Sequence, residues 1–96
     1  SRATRQGGGR EMNIIIRKFW DTAQRNVWIF QEAGTGEIVN GKGEVSFSGG
    51  GWSSRKEAQI VARQHLRSGK FASVKYEYWG KDSDGNKGTQ LKELTS

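Results

Sequence analysis

Residues able to do acid–base or metal chemistry are few and scattered in this sequence of 96 residues. It has one histidine, His65, and no cysteine, so a zinc site would lack nitrogen and sulfur ligands. His65 also falls on the apolar stripe of a predicted helix, which favours a core or boundary position over a catalytic one. The sequence therefore predicts a protein that is not an enzyme, with no catalytic residues, no metal and no cofactor.

Two short motifs have some of the residues of ion-binding loops, but their context differs. Asp82 and Asp84 precede Gly85, whereas a calcium-binding loop has its glycine in the sixth position, so a plain Asp-Gly turn is favoured. Glycines occupy positions 49–51 just before the predicted helix, whose first amides could hold one phosphate. Because Ser54 already caps that helix end, a flexible hinge is the competing interpretation of these glycines.

Cationic and aromatic side chains are the stronger chemical signal. The formal net charge is +6, and the aromatic residues are four Trp, two Tyr and four Phe. A positive balance favours contact with a polyanion, and cations interleaved with aromatics are typical of surfaces that bind single-stranded nucleic acids. The sequence therefore predicts binding to DNA or RNA. The predicted nucleic-acid-binding residues are Arg17, Lys18, Trp20, Arg25, Trp28, Arg63, Arg67, Lys75 and Trp79.

The same aromatic residues support a second hypothesis. Neighbouring strand residues such as Phe19 and Trp20 point to opposite faces of a sheet, and one helix covers only one face. The uncovered face would then need a partner, which predicts a protein-interaction module or a homodimer. The predicted helix also has an outward ridge that is either a solvated surface or a partner contact, formed by Lys56, Ile60, Arg63 and Arg67.

The helix itself is predicted over residues 54–68. Ser54 and Glu57 have the spacing of a capping box, and Gly69 stands where helices commonly end in a left-handed residue. An apolar stripe with helical spacing would face the sheet, formed by Ala58, Val61, Ala62, His65 and Leu66.

Runs of β-branched and aromatic residues, separated by glycine and other turn residues, predict the strands. These strands cover residues 13–20, 27–31, 37–40, 44–48 and 71–79. We therefore expect a small α+β fold, in which an antiparallel sheet of four or five short strands packs on one amphipathic helix. The expected order along the chain is strands, helix, strand.

The length of the chain fits one domain, which we expect at residues 12–79. Residues 1–11 contain three consecutive glycines among polar residues and predict a disordered arm, either native or left over from cloning. Residues 80–96 are polar and predict a flexible C-terminal tail. No apolar run approaches the roughly 20 residues of a membrane span, and the lack of cysteine favours an intracellular, reducing location.

Residues 45–70 consist of a short predicted strand, the sequence Trp52-Ser-Ser-Arg-Lys-Glu-Ala58, and a helix. This passage resembles the strand-to-helix passage of integrase arm-binding domains, whose three-stranded sheets read DNA. It is also similar in layout to WGR domains, although Ala33-Gly-Thr-Gly36 replaces their Trp-Gly-Arg signature. The resemblance covers about a quarter of the chain and implies no role for any particular residue.

Overall fold

The computed structural model describes residues 12–20, 26–46 and 51–96, without the side chains of Trp20 and Asn26. The elements are β1 Met12–Trp20, β2 Asn26–Glu32, β3 Ile38–Val39, α1 Arg55–Ser68, β4 Phe71–Lys81 and β5 Lys87–Leu94. The strands form one sheet in the order β3-β2-β1-β4-β5, and α1 packs on one face of it. The predicted α+β class, with a helix between strands, is confirmed. The predicted disordered arm at residues 1–11 lies outside the described residues.

The sheet is mixed, whereas the sequence analysis expects it to be antiparallel. β1 pairs with β2 in antiparallel orientation, with Arg17 opposite Ile29, but it pairs with β4 in parallel, with Ile14 opposite Val74. Parallel neighbours need a long crossover connection, which α1 supplies here. Local sequence patterns indicate hairpins and carry no information about this long-range pairing.

The C-terminal residues 80–96 are not the flexible tail that their composition predicts. Residues 80 and 81 extend β4, and β5 pairs with β4 from Lys87 opposite Lys81 to Leu94 opposite Val74. Leu94 is buried in the core. The sequence pattern does not predict β5, because it is an edge strand in which most side chains apart from Leu94 are exposed. It therefore contains few apolar residues.

The plain turn predicted at Asp82 to Gly85 is confirmed. The Asp82 Oδ1 atom accepts hydrogen bonds from the backbone N–H groups of Asp84 and Asn86, at 2.9 and 3.0 Å. Gly85 has a φ of +85°, a backbone conformation that only glycine adopts at little cost. The turn thereby reverses the chain between β4 and β5.

Only part of the strand predicted at residues 44–48 is seen. Val45 forms an isolated antiparallel bridge with Val39, and the turn between them passes through Gly43 with a φ of +82°. Residues 47–50 lie outside the described part of the chain. The Gly-Lys-Gly hairpin is therefore present, and Val45 pairs in the described part of its second arm.

Helix α1 begins one residue after the predicted start, because Ser54 is its N-cap, and ends at the predicted Ser68. The Ser54 hydroxyl accepts a hydrogen bond from the Glu57 N–H at 3.2 Å, and Gly69, with a φ of +85°, donates its N–H to the Leu66 carbonyl. The Glu57 carboxylate does not complete the predicted capping box, because it accepts instead from the Ser53 hydroxyl at 2.8 Å. Of the two hydrogen bonds of a capping box, the one from the Ser54 N–H to the Glu57 side chain is therefore replaced by one from the Ser53 hydroxyl.

Replacing Ser54 by alanine is expected to lower the free energy of unfolding by about 1 kcal/mol, because the Glu57 N–H loses its acceptor. Urea denaturation followed by circular dichroism measures this change. Ser53→Ala is the matched control, since it removes an exposed side-chain bond and should cost less than about 0.5 kcal/mol. Equal losses in both variants would contradict the capping role of Ser54.

The core lies between α1 and the sheet. Ala58 and Ala62 are fully buried, and their small side chains let the helix axis approach the strands closely. His65 is half-buried at the boundary, as predicted: its Nε2 lies 2.9 Å from the Gly41 carbonyl, and its ring lies 4.8 Å from the Phe71 ring. The buried core consists of Ile14, Ile16, Phe30, Val39, Ala58, Ala62, Phe71, Val74 and Leu94.

The strand register divides the sheet residues between two faces. The helix-side face, which α1 partly covers, consists of Met12, Ile14, Ile16, Lys18, Trp28, Phe30, Phe71, Val74, Tyr76, Tyr78, Gln90, Lys92 and Leu94. The open face consists of the alternate residues Asn13, Ile15, Arg17, Phe19, Val27, Ile29, Gln31, Ser73, Lys75, Glu77, Trp79, Lys81, Lys87, Thr89, Leu91 and Glu93. This division decides which of the predicted binding residues share a surface.

Candidate nucleic-acid interface

A cleft of about 740 Å³ opens at the N-terminal end of α1. We call it the cationic cleft. Its lining residues are Trp28, Ser53, Ser54, Arg55, Lys56, Gln59 and Arg63. Three of these carry positive charge, and no carboxylate occurs among these lining residues. The cleft is therefore an open, cationic depression lined by one large aromatic side chain.

Trp28 is held in the cleft by backbone pairing. Its N–H donates to the Trp52 carbonyl, and the Trp52 N–H donates to the Trp28 carbonyl, both at 2.8 Å. This bridge ties the segment before α1 to β2, so the chain passes directly from the bridge through Ser53 to the helix. The Trp52 ring packs on Phe30, with ring centroids 4.3 Å apart. Trp28 is thus half-buried on a rigid strand.

Arg55 contacts two aromatic rings and a backbone carbonyl at the cleft. Its guanidinium carbon lies 5.7 Å from the Trp28 ring centroid and 5.2 Å from the Tyr76 ring centroid. Its Nη1 also donates to the Glu77 carbonyl at 3.0 Å. Lys18 approaches Trp28 as well, with its Nζ 5.6 Å from the ring centroid. Two cations are therefore held against one indole ring.

The first turn of α1 adds to the positive potential. Arg55 and Lys56 occupy its first two positions, where positive side chains are disfavoured by the helix dipole by about 0.3–1 kcal/mol each. Lys56 is exposed, while Arg63, two turns further along, donates from Nε to the Thr95 carbonyl at 3.2 Å. An anion at this helix end would relieve the repulsion.

Beside the cleft, the helix-side face continues as an aromatic shelf formed by Tyr76 and Tyr78. Their ring centroids lie 6.4 Å apart. Tyr78 covers Gly80 so closely that a Cβ at that position would lie 2.7 Å from the ring, so any larger residue there would force the Tyr78 ring to move. Lys92 is opposite Tyr76 in the register. The shelf therefore has the same combination of aromatic and cationic groups as the cleft.

The structure distributes the predicted binding residues over separate surfaces. Lys18, Trp28 and Arg63 meet at or beside the cationic cleft. Three others lie on the open face, and Arg67 is exposed in the last turn of α1. The open-face residues are Arg17, Lys75 and Trp79. The side chain of Trp20 and all of Arg25 lie outside the described part of the chain.

The register places the predicted binding residues on both faces of the sheet. Arg17 and Lys18 cannot act on one surface, because neighbouring strand residues point to opposite faces. Trp28 lies on the helix-side face, not on an open sheet surface with Lys75 and Trp79. The predicted set thus mixes residues from two sides of the sheet.

Sequence analysis missed several residues of the cleft and the shelf, namely Ser53, Arg55, Gln59, Tyr76 and Tyr78. The signal for Arg55 was its position next to the cap residue Ser54, which places a cation at the positive end of a helix. Lys56 and Arg63 were identified on the outward ridge, and both line the cleft.

On the open face, Arg17 and Glu77 are already paired within the chain. The Arg17 Nε lies 2.8 Å from the Glu77 Oε2, and the Arg17 Nη1 donates to the Gln31 Oε1 at 2.7 Å. Around this network lie exposed apolar side chains, including Phe19 and Trp79. This surface is therefore apolar and locally neutral, unlike the cationic cleft.

Among the described residues, no group of three or more His, Cys, Asp or Glu could hold a metal ion. Within the same residues, no helix is long and apolar enough to cross a membrane. No protein-family model, curated protein or solved structure matches this chain. Its function must therefore be inferred from the chemistry of its own surfaces.

Proposed function

We propose that the protein is a non-enzymatic nucleic-acid-binding domain that holds single-stranded DNA or RNA in the cationic cleft. The observation that carries this proposal is Trp28, which lies in a cleft between the cations Lys18 and Arg55. An aromatic ring stacks on a base of any sequence. A base that stacks on Trp28 takes the place of a cation on the ring, and the displaced cation then meets a phosphate next to that base. The expected binding is accordingly sensitive to salt and tolerant of sequence.

Single strands fit this cleft better than duplexes do. In a duplex the bases are stacked on each other and present only their edges, so an aromatic side chain in a concave site cannot stack on them. An unpaired base can enter the cleft beside Trp28 and leave its phosphates near the rim. The shelf of Tyr76 and Tyr78 offers stacking positions for the next bases.

Phosphate contacts are supported by the first turn of α1. The Ser54 hydroxyl accepts the hydrogen bond of the Glu57 N–H. The other amides of a first helical turn have no acceptor within the helix. The amides of Arg55 and Lys56 belong to that turn, and their side chains carry positive charge. A phosphate placed there would accept from amides and lie against two cations, which agrees with the general preference of anions for helix N-termini.

Charge distribution favours the cleft over the open face. Cations at or beside the cleft are Lys18, Arg55, Lys56 and Arg63. Glu57 is the acidic residue of the same first turn and offsets part of this positive charge, and its carboxylate accepts from the Ser53 hydroxyl. On the open face, Arg17 is paired with Glu77, so it offers less attraction to a phosphate.

A titration tests the proposal. Fluorescently labelled oligonucleotides, single-stranded and double-stranded, are mixed with increasing protein at low and moderate salt. We expect single strands to bind more tightly than duplexes and affinity to fall steeply with salt. Absence of single-strand binding at micromolar protein in low salt would reject the proposed function.

Lys56→Gln is expected to flatten the salt dependence. Removing one phosphate contact lowers the slope of log K against log salt concentration by about 0.7 for a single strand. The matched control is Lys75→Gln, which removes an exposed lysine from the open face and should leave the slope unchanged. If Lys75→Gln changes the slope and Lys56→Gln does not, the phosphates lie on the open face.

A further inference from the structure

The open face exposes more apolar surface than the fold requires. Trp79 is 71% exposed, Phe19 50% and Leu91 46%, and half-buried Ile15 and Val27 lie on the same face. Large exposed apolar patches on small proteins mark interaction surfaces, and tryptophan is enriched among the residues that dominate binding at such surfaces.

The open face carries four described bases, Arg17, Lys75, Lys81 and Lys87, and two acids, Glu77 and Glu93. The turn between β4 and β5 adds Asp82 and Asp84, so the face and this turn together are balanced, although the chain carries a net charge of +6. Two copies of a basic protein repel each other wherever their cationic surfaces meet. The open face is a surface through which two copies can approach without that repulsion.

At the centre of the open face, the charged groups of Arg17 and Glu77 are already paired with each other. Arg17 is hydrogen-bonded to Glu77 and to Gln31 within one chain. Burying a charge that lacks a partner is strongly unfavourable, but here the guanidinium and the carboxylate already satisfy each other. A partner therefore needs to supply only apolar contacts and does not need a complementary charge.

The size of the face is sufficient for a weak, specific dimer. The four long strands have 7 to 11 residues. At about 4.8 Å between strands and about 3.3 Å per residue, their face measures roughly 600 Å² in each copy. Two copies would bury about 1,200 Å², at the lower end of the range for specific stable interfaces.

We propose that the open face binds the open face of a second copy of this chain in a two-fold symmetric homodimer. Because α1 lies on the opposite side of the sheet, both cationic clefts remain accessible on the outside of the dimer. This proposal does not depend on what the clefts bind. If they bind nucleic acid, the dimer presents two sites to one strand and gains avidity.

The oligomeric state is measured by size-exclusion chromatography with light scattering on the full chain, without nucleic acid. The salt is about 0.5 M NaCl, which screens charge interactions strongly. At about 100 μM chain, well above a micromolar Kd, we expect a mass close to twice the chain mass of 10.7 kDa. Leu91→Lys on the open face should give the monomer mass under the same conditions.

Ile60→Lys is the matched control, because Ile60 is 49% exposed on α1, close to the exposure of Leu91, and lies away from the open face. It should remain dimeric. Trp79→Ser is a second open-face variant and should also be monomeric, with circular dichroism confirming that each variant is folded. A monomeric wild type, or an open-face pair of variants as dimeric as Ile60→Lys, overturns the proposal. Because no nucleic acid is present, failure here leaves the proposed function unaffected.

Discussion

Replacing Phe30 by alanine is expected to lower the free energy of unfolding by about 3–5 kcal/mol. Phe30 is fully buried in the central part of the core. Its ring centroid lies 4.3 Å from the Trp52 ring and 5.5 Å from the Phe71 ring. Alanine would leave a cavity between these rings, and the backbone of β2 cannot collapse into it because it is paired on both sides. Urea or thermal denaturation measures the loss.

Phe19→Ala is the matched control for Phe30→Ala. The same atoms are removed, but Phe19 is half-exposed on the open face, so we expect a loss of about 1 kcal/mol or less in the monomer. The comparison is made at low micromolar protein, where a weak dimer contributes little to stability. For a small domain with a total stability of about 5–15 kcal/mol, the difference between the variants is large. Similar losses at both positions would contradict the assignment of the core to the helix-side face.

Replacing Trp28 by leucine is expected to weaken binding of a short single-stranded oligonucleotide roughly 5- to 150-fold. This range corresponds to the loss of one base–aromatic stack, which is worth about 1–3 kcal/mol. Leucine keeps part of the apolar contact that Trp28 makes with the core, so the fold should be retained. An oligonucleotide of about eight nucleotides occupies one site and prevents avidity from masking the effect.

Trp79→Leu is the control for Trp28→Leu. Trp79 is the more exposed of the two but lies on the open face. We expect its replacement to change the affinity for the same oligonucleotide by less than about twofold. The opposite result, with strong loss in Trp79→Leu and none in Trp28→Leu, would place the bases on the open face and reject the cleft as the binding site.

Helix α1 was predictable because its signals are local. The Ser54 cap, the Gly69 end and the apolar stripe at Ala58 and Ala62 depend on residues within one or two turns of each other. The same holds for the Asp82 turn, in which one carboxylate accepts from amides two and four residues ahead. Such patterns involve only residues that are close in the chain, so they can be recognised in the sequence without knowledge of the tertiary structure.

The sheet was only partly predictable. The parallel pairing of Ile14 with Val74 joins residues far apart in the chain, and no local pattern encodes it. The polar edge strand β5 depends on β4 for its hydrogen bonds and contributes Leu94 to the core. Composition alone made this segment resemble a tail, because an edge strand needs few apolar residues.

By itself, the sequence determined the helix, the α+β class, and the fact that adjacent residues such as Arg17 and Lys18 point to opposite faces. The tertiary structure decided which of those faces α1 covers, since that depends on strand order and on the packing of Ala58 and Ala62. Because α1 covers this face, Trp28 and the first-turn residues Arg55 and Lys56 line the cationic cleft together. Lys18 lies beside the cleft, against the Trp28 ring. The same choice leaves Arg17 and Trp79 on a largely apolar surface, where the Arg17 side chain forms an ion pair with Glu77 of β4.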